Sequence, residues 1–184
     1  MKLVVPALDY LASYKDALQR GWSPDNVRLE VAAREELAKI AEDPAAFVAS
    51  LDDREAKGGP VTLPDGSKVP RLPSFRRWMW DGEFCGSIGF RWQKGTSALP
   101  PYVLGHIGYA VVPWKRRLGY ATRALALLLD DARREGLDHV ALTTDPDNEP
   151  SQRVILANGG TLHERFNAGP VYGDTDHLRF HIRL

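Results

Sequence analysis

At 184 residues the chain is long enough for one domain with a sizeable core, and an apolar share of 43% suits a globular protein. Its 24 basic and 24 acidic residues cancel, which argues against a nucleic-acid backbone or an anionic membrane as partner. The single cysteine, Cys85, excludes an internal disulfide, and its apolar strand setting predicts a buried, inert thiol in a reducing compartment.

The opening MKLVVPALDY has one early lysine, then Pro6 and Asp9, which is no signal-peptide pattern, and no apolar run approaches membrane-spanning length. A cytoplasmic protein is expected. Leu8, Leu11, Ala12 and Leu18 predict a short amphipathic helix that stops near Gly21. Ser23-Pro24-Asp25 then offers a capping serine with proline at the first helical position, followed by Leu29, Ala33, Leu37 and Ile40 at helical spacing. Asp43-Pro44 restarts a helix carrying Phe47, Val48 and Leu51, which ends at Gly58-Gly59. Residues 1–59 therefore read as a helical segment. Pro64-Asp65-Gly66-Ser67 predicts a hairpin or an irregular edge.

From Phe75 the pattern turns to strands. Arg77–Trp80 and Phe84–Trp92 flank Asp81-Gly82-Glu83, a tight antiparallel hairpin; His106–Val112 follows a Gly/Ser/Pro loop, with Gly105 and Gly108 suggesting a bulge or a close backbone approach. Leu118, Ala121, Leu125, Leu128, Leu129 and Ala132 make one helical stripe, closed by Arg133, Arg134 and Gly136. A strand at His139–Thr144, a helix from Pro150 to Ala157, and strands at Thr161–Phe166 and His177–Leu184 complete the chain. Trp78, Trp80 and Trp92 fit a core or a sheet face better than a substrate box, while Trp114, in a turn, could flank a ligand or an interface. No linker divides residues 1–184, so a single domain is expected.

The richest stretch is VVPWKRRLGYAT, Val111 to Thr122, which ends a strand, turns and opens a helix. Its Arg116, Gly119 and Ala121 are spaced Arg-x-x-Gly-x-Ala. A helix N-terminus presents unpaired N–H groups and a positive dipole end, and small residues there let an anion approach the main chain. Two arginines at that end are poorly placed against the dipole unless an anion joins them. This stretch resembles the pyrophosphate loop of the GNAT superfamily of acetyl-CoA-dependent N-acetyltransferases, whose signature is Gln/Arg-x-x-Gly-x-Gly/Ala. The order of elements over residues 75–184 resembles the GNAT core as well.

The resemblance implies an α/β (α+β) fold: a strongly twisted, mostly antiparallel mixed sheet with helices on both faces, splayed open near Ala110–Pro113. It implies acetyl-CoA as cosubstrate and no metal. Arg116, Arg117, Leu118, Gly119, Tyr120, Ala121 and Thr122 would surround the pyrophosphate, and the backbone of Val111 and Val112 would face pantetheine. Asp145-Pro-Asp-Asn-Glu-Pro-Ser151 resembles the family's Asn-x-x-Ala/Ser turn, which places Asn148 and Ser151 beside the pantetheine arm; capping of the following helix by Asn148 is the competing structural role. The activity implied is direct attack of a primary amine, from a small molecule or a peptide, on the thioester. A homodimer is compatible with that family.

An ammonium group of pKa about 10.4 must lose a proton before it attacks. His106 titrates in the useful range and is the expected base, with Glu83 and Asp81 behind it. Many relatives carry a tyrosine seven residues after the motif asparagine to protonate the departing thiolate; here that position is Ile155. Tyr172 is the expected substitute, and Tyr109, Ser151 or water are alternatives. The loss also leaves open a catalytically silent CoA-binding regulatory module.

Overall fold

The computed structural model describes residues 1–184. The chain opens with strand β1 (Lys2–Val4), which the helical reading of residues 1–59 missed. Three residues are too few for a period signal, but Leu3 and Val4 sit just upstream of Pro6, whose ring favours extended backbone before it. Helices α1 (Leu8–Gln19), α2 (Leu29–Glu42) and α3 (Pro44–Ser50) follow. Asp43 caps α3 as its Asp-Pro sequence suggests, accepting from the N–H groups of Ala45 and Ala46. Ser23 does not cap α2: its hydroxyl accepts from the Asp25 N–H, and Asp25 in turn accepts from Val27 and Arg28, so Pro24 lies in a turn and the helix starts five residues later. After α3 the chain forms β2 (Asp52–Asp53) and a small hairpin, β3 (Val61–Thr62) with β4 (Lys68–Val69), around the Pro-Asp-Gly-Ser turn.

Next come β5 (Ser74–Trp80), β6 (Phe84–Arg91), β7 (Ile107–Val111) and α4 (Tyr120–Arg134). The chain ends with β8 (His139–Thr144), α5 (Glu149–Leu156), β9 (Thr161–Asn167) and β10 (Asp176–Arg183). Strands β1, β5, β6 and β7 form one antiparallel sheet in that order, with β2 against β5; β8, β10 and β9 form a second. Helices cover both faces because β5 alternates. Its Phe75 and Met79 join the core under α4, while Trp78 joins the core under α1–α3, stacked on Tyr14 at 4.5 Å. No helix is long and apolar enough to cross a membrane.

Arg76 points to the same side as Trp78, pairs with Glu36 of α2 at 2.9 Å, and its neighbour Tyr14 hydrogen-bonds the same carboxylate. This group ties two N-terminal helices to the central strand. On the other side, Ala124, Leu125, Leu128, Leu129 and Ala132 bury the stripe of α4 against the sheet. Cys85 is fully buried, and desolvation pushes its thiol up to about 12, which leaves it inert at neutral pH.

Candidate active site

The two sheets are joined only at one end. The Gly105 region lies so close to β8 that a Cβ there would sit 3.1 Å from the Ala141 carbonyl oxygen. The His106 N–H donates to that carbonyl at 2.8 Å, and the Thr143 hydroxyl donates to the Leu104 carbonyl at 2.5 Å. Beyond that stitch, β7 pairs with β6 on one edge and has no strand on the other. The result is a split between β7 and β8 that opens toward α4, in the region of the expected splay.

At the mouth of the split, Pro113–Lys115 make one 3-10 turn, Arg117 turns left-handed at φ +64, and Gly119 does so again at φ +73 to become the N-cap of α4. The main-chain N–H groups of residues 117 to 122 find no acceptor in the protein, because the first return bond comes from Arg123 to the Gly119 carbonyl. An ordinary helix start leaves four such donors; the two left-handed residues extend the row and curl it into a concavity suited to an anion. Arg116 and Arg117 are exposed and enter no ion pair. Neighbouring Lys115 is taken: it pairs with Asp81 at 3.0 Å and Glu83 at 2.8 Å. Asp81 also accepts from the Tyr120 hydroxyl at 2.6 Å, so the hairpin between β5 and β6 braces the turn.

That brace removes the reserve bases. Hydrogen bonds from Tyr120 and then Lys115 hold the Asp81 carboxyl far below its usual range, and Glu83 is committed to Lys115. His106 is engaged as well. It is fully buried, and its Nδ1 accepts from the Ala141 N–H at 2.9 Å, so the neutral ring carries its hydrogen on Nε2 and has no lone pair free. Burial, with His139 next, pushes its pKa down to about 4. Nothing in the sequence signals this, since strand position does not reveal what each ring nitrogen touches. Tyr172 is likewise engaged: its hydroxyl donates to the Tyr102 carbonyl at 2.8 Å, holding its short 3-10 turn against the loop before β7.

A buried neutral histidine ties stability to pH. The folded pKa lies below the unfolded value of 6.5, so the unfolded chain binds more protons in between. The contribution is complete above pH 6.5 and is lost as pH falls toward 4. By pH 5 His106 alone should cost about 2 kcal/mol. Urea unfolding at pH 7.5 and pH 5 measures it, and a His106→Gln variant should lose correspondingly less between the two; equal losses would put the effect elsewhere.

Asn148 takes the capping role: its side-chain oxygen accepts from the Ser151 N–H at 3.2 Å, which leaves its amide N–H₂ free and exposed. The Ser151 hydroxyl meets the Tyr109 hydroxyl at 2.9 Å, so a side chain from β7 reaches α5. Burial raises the Tyr109 pKa, which keeps its proton in place. Ile155 is buried in the core. Val112 is fully buried and Val111 partly so, and Trp114 lies under the Arg20 guanidinium at 3.5 Å. No group of three or more His, Cys, Asp or Glu side chains is arranged to hold a metal ion.

Solved structures with the same fold are numerous. The microcin self-immunity acetyltransferase MccE, in complex with acetyl-CoA and AMP, superposes with a TM-score of 0.62 at 14% identity over 99% of this chain and 91% of that one. The ribosomal α-N-protein acetyltransferase RimL, in complex with coenzyme A, gives 0.63 at 16% identity over 99% and 93%. A GNAT-family acetyltransferase from Bacillus anthracis gives 0.59 at 16% over 98% and 93%. At these identities the likeness is one of fold. No curated protein matches the sequence. The family model of the GNAT acetyltransferase domain matches residues 27–161, a span that includes β7, the turn, α4 and the Asn148 turn. The chain belongs to the GNAT acetyltransferase family.

Proposed function

We propose that this chain, acting as one domain over residues 1–184, transfers the acetyl group of acetyl-CoA to a primary amine by direct attack. The observation that carries this reading is the row of unpaired N–H groups over residues 117–122, flanked by unpaired Arg116 and Arg117. Such a concavity fits a pyrophosphate, with the guanidinium groups adding charge-assisted bonds. The free edge of β7 up to Val111 and Val112, and the free amide N–H₂ of Asn148, offer partners to the two amides of pantetheine. Acetyl-CoA supplies the activated thioester. MccE and RimL, which share the fold, were solved with acetyl-CoA and CoA respectively.

The acid for the departing thiolate is assigned to Tyr109. Its partly buried, protonated hydroxyl spans the split to Ser151, on the helix that carries Ile155 where many relatives have tyrosine. With His106, Asp81 and Glu83 engaged elsewhere, solvent takes the ammonium proton. Tyr109→Phe should lower turnover about a hundredfold while acetyl-CoA affinity stays within about twofold, since general-acid help is worth 10²–10⁴. Unchanged turnover would remove Tyr109 from the chemistry.

Release of free thiol from acetyl-CoA across a panel of small amines and peptide N-termini tests the activity itself. Ile155 favours one rival, a silent CoA-binding module. Tight acetyl-CoA binding with no amine-dependent thiol release would establish that rival.

A further inference from the structure

Four of the five histidines gather at one place outside the split. A cavity of about 410 Å³ is lined by His106, His139, His163, His181 and Arg179, with Leu99, Pro100, Val103 and Leu104 from the loop before β7 along its other wall. It lies on the face of the second sheet turned away from α4 and α5. Val140, Leu142, Phe180 and Ile182 enter the core with α4, so their alternate neighbours His139, Ala141, Arg179 and His181 face the other way. The rings run side by side across the three strands: His139 to His181 at 4.3 Å and His163 to His181 at 4.0 Å, the latter nearly parallel.

We propose that this cavity binds a small organic acid, seating its carboxylate among the three stacked imidazoles and Arg179 and its apolar body against the loop.

The chemistry of the lining carries this. No Asp or Glu lines the cavity, so its polar side chains are a guanidinium, four imidazoles that can donate, and Ser97. Arg179 stacks over Phe166 at 4.0 Å and pairs with Glu164 of β9, which fixes its guanidinium at the rim. At the inner wall, the Nε2 of His106 is fully buried without a hydrogen-bond partner, and its neighbour atom Nδ1 makes it the donor. A buried donor without an acceptor is costly, and an anionic oxygen satisfies it best. A volume of 410 Å³ exceeds what a bare ion needs, a water taking about 30 Å³, so the ligand brings an apolar body as well.

Protons should accompany the ligand. Burial, then His163, His139 and Arg179, push His181 down to about 4, with Glu164 opposing them. Around His106, burial and then His139 act in the same direction, with Arg91 and His181 adding to it. An anion reverses the balance, so a carboxylate draws a proton onto the stack. If one ring returns to its ordinary pKa on binding, affinity rises about tenfold from pH 7.5 to pH 5.5.

Histidine Cε1–H resonances of the full chain, assigned with single His→Gln variants, read this directly. Benzoate at millimolar concentration should move the His139, His163 and His181 signals, about tenfold more tightly at pH 5.5, and leave His177 alone. Benzamide, its neutral counterpart, should not move them. Arg179→Gln, which changes a rim residue, should weaken benzoate binding about tenfold while acetyl-CoA still stabilises the variant as it does the parent; the two sites are thereby tested apart. Equal binding of benzamide, an affinity flat with pH, or no movement at the three histidines would overturn the proposal.

Discussion

Gly119→Asp should weaken acetyl-CoA binding by at least about a hundredfold without weakening the free protein. Gly119 is left-handed at φ +73, and a Cβ there would meet nothing within 4 Å, so the added side chain has room. The backbone strain of about 1 kcal/mol is offset by the N-cap bonds an aspartate makes to the open helix start, worth a similar amount. That carboxylate then occupies the donors a phosphate would use. Two like charges about 4 Å apart at an effective dielectric near 20 repel by about 4 kcal/mol, ample for a hundredfold loss even after screening. Gly119→Asn caps without charge and should lose about tenfold. A titration in which Asp and Asn variants bind acetyl-CoA like the parent would place the phosphates elsewhere.

Gly86→Ala should have the opposite profile, a large loss of stability. Gly86 pairs with Val111 at the end of β7, with φ +150, and an added Cβ would lie 2.3 Å from the Ala110 carbonyl oxygen and 2.8 Å from the Val111 Cα. Those are backbone atoms, and neither can move without parting β6 from β7. The expected cost is about 3–4 kcal/mol, the range of overpacking combined with a disallowed backbone conformation. Gly89→Ala is the control on the same strand. Its Cβ would meet only the Phe75 carbonyl oxygen at an ordinary 3.7 Å, so it should stay within about 1 kcal/mol. Urea midpoints decide; equal values for the two variants would contradict the close approach of β6 and β7 beside the split.

These two glycines mark what the sequence could and could not reveal. Gly119 was legible because its role is local: a small residue between a strand and an apolar stripe of period 3.6 predicts an open helix start. The stripe of α4 was read the same way. Gly86 was not legible, since its demand comes from a strand 25 residues later. The brace of Asp81 on Lys115 and Tyr120 spans 34 and 39 residues and leaves no periodic trace, so two carboxylates that looked available as bases were already engaged. His106, read as the first residue of that strand, lies just before β7, and the Ala141 N–H that occupies its Nδ1 lies 35 residues away. Strands β1 and β2 were too short to show a period at all. The strand, turn and open helix start at residues 107–134 were thus readable from local chemistry, whereas the engagement of His106, Asp81 and Glu83 depended on contacts that only folding creates.

The central claim is that the turn at residues 117–122 holds the pyrophosphate of acetyl-CoA, and thermal unfolding with ligand tests it most directly. At a hundred times its dissociation constant, acetyl-CoA should stabilise the fold by about 2.7 kcal/mol, a rise in Tm of about 5–10 °C for a domain of this size. CoA and dephospho-CoA should act comparably, because both keep the pyrophosphate, and pantetheine should do little. No shift with acetyl-CoA at millimolar concentration, or an equal shift with pantetheine, would contradict the account.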